Sequence, residues 1–482
     1  MILTPTNSRA RSYNAVLLLC FLAATPGFSR DWFVSAKGDD AATGTTAATA
    51  FRTLQKAADL TEPGDTVLVG DGIYLDAPTA DSQPLPSLID KDTIGATSLL
   101  RITQSGRPDA WITWKAAPGQ HPELRPQSWA GIAIHASYIA IDGLTITGAN
   151  DALVLINAIK EGKNEKADPR YNTNGIIVEG RHLSPERKPH HVIIRNCTVS
   201  KCPGGGIVGL EMDHLTIEDN RIFDNCWYMR YGGSGITTLN NWASDDAPGY
   251  HVVIQRNLVW NNKTLVPWGA IGKLSDGNGI LLDVTDGKAS GAANPNVDTA
   301  ANPTGTTGAA LPDPNAASLN PERPIWKYRA LIANNVSAYN GGSGIHTFRT
   351  RHVDIINNTT YWNGSVVGYE ELFPNRSEDV VILNNIIVPR PGAAVTSNNR
   401  NKNIHWDYNL YTDDQKISKG EHDIIADPQF ISIRRDLLEA NFRLQHGSPG
   451  LDRGTDEVAQ PTDLTGNIRP VGKARDRGAY EQ

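Results

Sequence analysis

Through the middle of the chain, apolar and polar positions alternate in short runs that repeat one another. "VIIRNCTVSKC", "LTIEDNRIFDNC", "VVIQRNLVWNN", "ALIANNVSAYN", "VDIINNTTYWN" and "VVILNNIIV" share one design. In each, an aliphatic residue is followed three places on by asparagine, at Asn196, Asn220, Asn257, Asn335, Asn358 and Asn385. A second asparagine often follows five places later, at Asn225, Asn262, Asn340 and Asn363. Repeats of roughly 20–30 residues built from alternating strands predict a solenoid, here a parallel β-helix. In such a coil each asparagine bonds to its equivalent one rung away and satisfies turn amides that would otherwise be orphaned. The asparagine rows are therefore expected to be scaffold. Cys202 and Cys226 read as equivalent positions stacked inside the coil.

A second register runs through "NGIIVE" (174–179), "GGIVGL" (205–210), "SGITTL" (234–239), "NGILLD" (278–283) and "SGIHTF" (343–348). Side chains alternate across a strand, so if the shared isoleucine points inward, two outward rows follow. The first is Ile177, Val208, Thr237, Leu281 and His346; the second is Glu179, Leu210, Leu239, Asp283 and Phe348. With rungs about 4.8 Å apart, Asp283 and His346 become diagonal neighbours on one outer wall. Long insertions at 158–173, 240–250, 263–276 and 284–328 all enter beside this strand, and the stretch near 290–320 is of low complexity. Loops gathered on one wall of a regular scaffold make a groove, where function is expected.

The groove supplies the candidate chemistry. Asp283 stands where sister rungs carry Leu or Phe, a position from which a packed scaffold gains nothing by acidity. Asp276 and Asn278 offer further oxygen ligands, with Glu179 along the same wall, although Asp276 before Gly277 equally suits a turn. His346 is the neighbouring imidazole. Arg349 and Arg351 suit a bidentate bond to a carboxylate or, as readily, to turn carbonyls. Lys273 is a candidate base or a solvated loop lysine. Trp242 and Trp268 are candidates to stack on sugar faces or to pack down on the coil.

Composition narrows the partners. The 482 residues carry a formal net charge of −7, which argues against nucleic acid, since phosphate binding needs a basic surface. A polyanionic sugar is repelled too unless a cation or a basic groove intervenes. Residues 9–29, with Arg9 and Arg11 before "AVLLLCFLAA" and then Gly27 and Ser29, read as a secretory signal too short to span a bilayer. The expectation is a secreted or periplasmic chain without a membrane span, acting as a monomer. Cys197, Cys202 and Cys226 remain beyond the signal; they exclude a full disulfide framework and match no zinc spacing, so buried thiols are expected.

The opening "DWFVSAKGDDAATGTTAATAFRTLQKAADLTEPGDTVLVGDGIY" resembles that of secreted right-handed parallel β-helix proteins, and the ending "DPQF…NFRLQHGSPGLDRGTD…GNIRP…DRGAYE" resembles their common tail. The resemblance is nearest to pectate lyases of polysaccharide lyase family 9. It implies an all-β, single-stranded right-handed parallel β-helix with a short N-terminal capping helix and a C-terminal capping tail. The expected boundaries are 1–29 for the signal, 30–75 for cap and first strand, 76–425 for the coil and 426–482 for the tail. Phe51, Leu54, Ala57 and Ala58 give the capping helix its apolar face. The resemblance further implies Ca2+ held by clustered aspartates beside a catalytic lysine, for which Asp276, Asp283 and Asp286 with Lys273 and Lys288 are the local match. Three functions follow: a lyase on an acidic, uronate-containing polysaccharide, a glycoside hydrolase using a carboxylate pair, or a non-catalytic carbohydrate-binding protein. The "NTD", "GHG" and "RIK" signatures of β-helix polygalacturonases are absent, which lowers the second.

Overall fold

A computed structural model describes residues 29–76, 98–269, 271–285, 324–415 and 417–482. Most of the expected signal, together with Asp286 and Lys288, lies outside these residues. The chain winds into three parallel sheets, of eight, eleven and eleven strands, with every pairing inside them parallel. One turn of the coil gives one strand to each, for example Asn174–Glu179, His190–Arg195 and Thr198–Ser200. This is an all-β parallel β-helix. The eight-stranded sheet carries the Gly-Ile segments and forms the groove wall.

Alternation decides what lies inside. Ile176, Ile207, Ile236, Ile280 and Ile345 are fully buried in the central core with Val192, Ile194, Val199 and Ile222 from the other sheets. The asparagine rows close two corners, one between the second and third sheets and one between the third sheet and the groove wall. Asn358 Nδ2 donates to Ile332 O at 2.9 Å and to Asn385 Oδ1 at 3.1 Å, while its own Oδ1 accepts from Asn335 N at 3.0 Å. The same pattern joins Asn220, Asn257, Asn335, Asn358, Asn385 and Asn409, and a second row joins Asn225, Asn262, Asn340 and Asn363. Asn196 is one residue out of this register. The rung above Asn220 carries Cys197, whose amide donates to Asn220 Oδ1 at 2.9 Å, while Asn196 sits at φ 54° on the outside of the corner. Likewise Cys202, not Cys226, occupies the rung above Asn225. All three cysteines are buried thiols.

At the N-terminal end, helix Leu54–Ala58 is capped by the Thr53 side chain and packs on strand Ser98–Ile102. Asp65 in the "EPGD" turn accepts from Trp32 Nε1 at 2.8 Å and from the amide of Arg30 at 3.0 Å, tying the first strand down. The C-terminal tail forms the antiparallel pair Phe430–Ser432 and Asn441–Leu444. Its Leu437, Phe442 and Ala479 cover Trp260, Val336 and Ala338 on the outside of the third sheet. A fully buried Arg469–Glu481 ion pair at 2.8 Å locks the chain end.

Candidate functional site

The groove wall has the expected register. Ile177 pairs with Val208, Val208 with Thr237, Thr237 with Leu281, and Leu281 with His346. The row continues to Ala133 on one side and Phe373 on the other. Glu179, Leu210, Leu239, Asp283, Phe348 and Asn375 form the second row. Among the described residues, two adjoining clefts lie on this wall. The first, of about 290 Å³, has Ala133, Ile177, Val208, Leu210 and Leu239 as its floor, with Trp129, Met229, Tyr231 and Trp268 around it. The second, of about 160 Å³, is a notch holding Asp276, Asp283, His346, Phe348, Tyr369 and Asn375. Tyr231, Gly232, Gly233, Thr237, Leu239 and Trp268 belong to both, so the clefts form one groove.

Loop packing tunes the notch. Asp276 takes the left-handed conformation at φ 65° before Gly277, so it is a turn residue and a notch residue together. Gly232, at φ 73°, lies against it: a Cβ there would come within 2.5 Å of Asp276 Oδ2. Burial under this loop raises the Asp276 carboxyl to about 6, because low polarizability around a carboxyl disfavours its charged form. His346 is only 5% exposed, stacks on Phe373 at 4.7 Å and meets Tyr369 edge-on at 5.6 Å. Neither of its ring nitrogens has a hydrogen-bond partner in the protein, and burial pushes its pKa down to about 3. It is thus a neutral imidazole with one donor and one acceptor available to a ligand. In the first cleft, burial would raise Glu179, but the charge and bonds of Arg181 outweigh it and hold the carboxyl below its ordinary range. Arg181 Nη2 and Nε donate to the two Glu179 oxygens at 2.8 and 3.0 Å.

Of the residues expected from sequence, Asp276, Asp283, His346 and Trp268 meet at the notch, and Glu179 lies in the adjoining cleft. Others do not. Asn278 is fully buried in a rung ladder, donating to Ser234 Oγ at 3.1 Å and accepting from Ser343 N at 2.9 Å. Trp242 packs down on the coil, 7% exposed, with Lys188 Nζ 4.6 Å above its ring. Lys273 is an exposed hairpin residue whose carbonyl accepts from Trp268 N at 2.9 Å. Arg351 starts a strand of the second sheet and pairs with Glu378 at 3.1 Å. Arg349 comes one step past the groove strand at φ 52°, in line with Arg376 and Arg400 on the following rungs. The side chains that pattern reading missed are Arg181, Met229, Tyr231, Tyr369, Phe373 and Asn375. "WYMRYGG" immediately precedes "SGITTL" and "GYEE" precedes "LFPN", the same place in the coil where the 263–276 insertion enters, and that position was the available signal.

A family model described as "Pel9A-like, right handed beta helix region" matches residues 32–377. The chain belongs to this family. Among solved structures it is similar to a pectate lyase Pel9A, at 17% identity over 94% of this chain and 96% of that one, with a TM-score of 0.50. It is also similar to a rhamnogalacturonan lyase, at 13% identity, 92% and 95% coverage and a TM-score of 0.44. A lacto-N-biosidase from Eubacterium ramulus matches at 12% identity, covering 79% of this chain and 56% of that one, with a TM-score of 0.40. At such identities the likeness is one of fold. The comparison with curated proteins yields no match.

The resemblance to pectate lyases implies calcium. A calcium ion takes six to eight oxygens, and the described notch offers the carboxylates of Asp276 and Asp283 beside a neutral imidazole. Among the described residues, the grouping of metal-ligand atoms is elsewhere: Asp213, His214, Asp245 and His251, all within 4.8 Å, at the corner between the first two sheets. Its members are committed to one another and to the backbone. Asp213 accepts from Trp326 Nε1 at 2.9 Å and from His251 Nδ1 at 3.0 Å, and His251 Nε2 lies 2.8 Å from Ala247 O. The rings of His214 and His251 stack with centroids 3.8 Å apart, and His214 Nε2 lies 2.9 Å from Asp245 Oδ1. The two notch carboxylates are fewer than the oxygens calcium takes, and Asp286, the third ligand expected, lies outside the described residues. No membrane-crossing helix occurs among the described residues.

Proposed function

We propose that this Pel9A-like chain cleaves a uronate-containing polysaccharide by β-elimination in the notch of Asp276, Asp283 and His346. The supporting observation is a carboxyl raised to about 6 beside an imidazole kept neutral, both inside a long groove. A proton-transfer group works best when its pKa lies near the working pH. Once ionised, Asp276 takes the proton alpha to the sugar's carboxyl group, and the C–H electron pair becomes the new carbon–carbon double bond. The glycosidic C–O bond breaks, its electron pair stays on the leaving oxygen, and that oxygen receives a proton from the protonated Asp276. His346 donates its ring N–H to the carboxyl group of the reacting sugar. Trp268 and Tyr231 offer flat faces to neighbouring sugars. On this reading the protein acts as a monomer outside the cytoplasm, in keeping with the signal-like residues 9–29.

The test is an assay on pectate, alginate and glucuronan that follows the absorbance of the unsaturated product, for the wild type and for Asp276→Asn. Full turnover by a folded Asn variant would remove Asp276 from the mechanism. The paired carboxylates favour a second reading, a glycoside hydrolase with Asp276 as acid and Asp283 as its partner. New reducing ends without the absorbance would select it. Saturable binding with no new ends would leave a carbohydrate-binding protein.

A further inference from the structure

We propose that the first cleft is a subsite for an uncharged sugar, so that the groove takes a mixed polysaccharide, with a neutral residue in the cleft and a uronate in the notch. The subsite stands on the cleft alone; the uronate in the same polymer rests on the elimination reading above.

The first support is charge. Among the residues lining the cleft, the acid and the base are Glu179 and Arg181. Arg181 Nη2 and Nε donate to the two Glu179 oxygens at 2.8 and 3.0 Å, and the Glu179 side chain is 3% exposed. The next carboxylate acting on Arg181, that of Glu211, is held by Lys188. The cation is thus neutralised within the protein. A sugar carboxylate brought to it would share it with Glu179 and meet that like charge at short range. A hydroxyl brings no charge and loses less on leaving water.

The second support is the set of donors and rings around the cleft. Arg181 Nη1 has no partner among the described residues, and a guanidinium N–H makes a charge-assisted bond to a neutral oxygen. At the other edge of the same strand, Asn174 Oδ1 accepts from Gly205 N at 2.8 Å. In the equivalent Asn278, Nδ2 donates to Ser234 Oγ on the preceding rung. Before Asn174 that place belongs to Ala130, whose methyl accepts nothing, so Asn174 Nδ2 is a spare donor in the cleft lining. Between these donors stand Tyr231, 40% exposed, and the half-buried Trp129 and Trp268. Such rings cover the C–H face of a sugar while its hydroxyls reach the donors at the edges.

Register links the subsite to the notch. Glu179, Leu210, Leu239 and Asp283 are successive partners, so Glu179 lies three rungs, about 14 Å, from Asp283. That is a span of a few sugar residues, and one polymer can occupy both places.

The test uses the full chain with three sets of probes. These are neutral oligosaccharides of xylose, glucose, mannose, galactose and rhamnose; oligosaccharides of galacturonate, mannuronate and glucuronate; and gellan and a rhamnogalacturonan, whose backbones carry uronates between neutral sugars. Calorimetry gives binding and product absorbance gives turnover. One neutral oligosaccharide should bind saturably, with an affinity that changes less than about twofold between about 0.05 and about 0.5 M NaCl. Tyr231→Ala and Trp268→Ala should each weaken it about fivefold. One mixed polymer should give kcat/KM about tenfold above that of any uniform uronate polymer. Absence of a saturable neutral ligand overturns the subsite. So does a uronate oligosaccharide that binds tighter than every neutral one and loses its affinity in folded Tyr231→Ala. Either result, with unsaturated product from a uniform uronate polymer, leaves the elimination reading standing. A neutral ligand bound through Tyr231, with no unsaturated product from any polymer, upholds the subsite and removes elimination. Neutral binding with equal turnover of mixed and uniform polymers overturns the mixed substrate.

Discussion

Replacing Asp276 by Asn should stabilise the protein above pH 6 while abolishing turnover. Burial raises this carboxyl from 3.8 to about 6. Each pH unit of that displacement corresponds to about 1.4 kcal/mol, so the ionised form is disfavoured in the fold by at most about 3 kcal/mol. Groove water reaches the residue in part, which brings the expected effect to about 1–2 kcal/mol. The sign follows from proton binding. Between pH 4 and 6 the folded state keeps the proton that the unfolded state has lost, so wild-type stability falls as pH rises and then levels off. Asn keeps the shape without the charge and has no such slope. Urea unfolding of both proteins at pH 4, 5, 6, 7 and 8 should therefore show the variant's advantage growing from near zero to its plateau just above pH 6. A difference that is flat across this range, or that favours the wild type at pH 8, would refute the assignment of a strained, buried carboxyl.

Further outcomes follow from the same geometry. His346→Phe removes two buried, unpartnered nitrogens and keeps the stack on Phe373; stability at neutral pH should hold or rise by about 1 kcal/mol, and turnover should fall at least tenfold. Because the folded pKa of His346 lies at about 3, below its unfolded value, the wild type alone should lose stability from this residue as pH falls from about 6.5 towards 3. Thermal unfolding at pH 4 and 7 reads the difference. Asn358→Ala strands the Asn335 amide and the Ile332 carbonyl inside the corner and should cost about 3–5 kcal/mol in chemical unfolding. Trp268→Ala should raise KM roughly fivefold with little change in stability. Trp242→Ala, under Lys188 on the coil, should cost about 3 kcal/mol of stability.

The two-residue period made the groove wall legible. Once the Gly-Ile segments are stacked, the neighbours of Asp283 follow from counting, and the structure places Leu281 beside His346 and Asp283 beside Phe348. The asparagine rows were legible for the same reason, although Asn196 slipped by one. The rung above Asn220 substitutes Cys197, and an adjacent asparagine in the left-handed corner imitates the pattern. What a loop covers could not be read in this way. Trp242 and Trp268 both lie in loops beside the groove strands, yet one packs on the coil and the other faces the groove. The raised carboxyl of Asp276 depends on Gly232 lying against it, a contact between insertions 44 residues apart that no local pattern encodes. Arg351 reads as groove-facing only until the corner turns its strand into the second sheet, where Glu378 holds it.

The most direct check of the central claim is the pH dependence of kcat/KM for unsaturated-product formation by the wild type. The rate should climb about tenfold per pH unit below about pH 6 and level above it, as Asp276 gives up its proton. A profile without a break near that pH, or no unsaturated product from any uronate polymer, would contradict it.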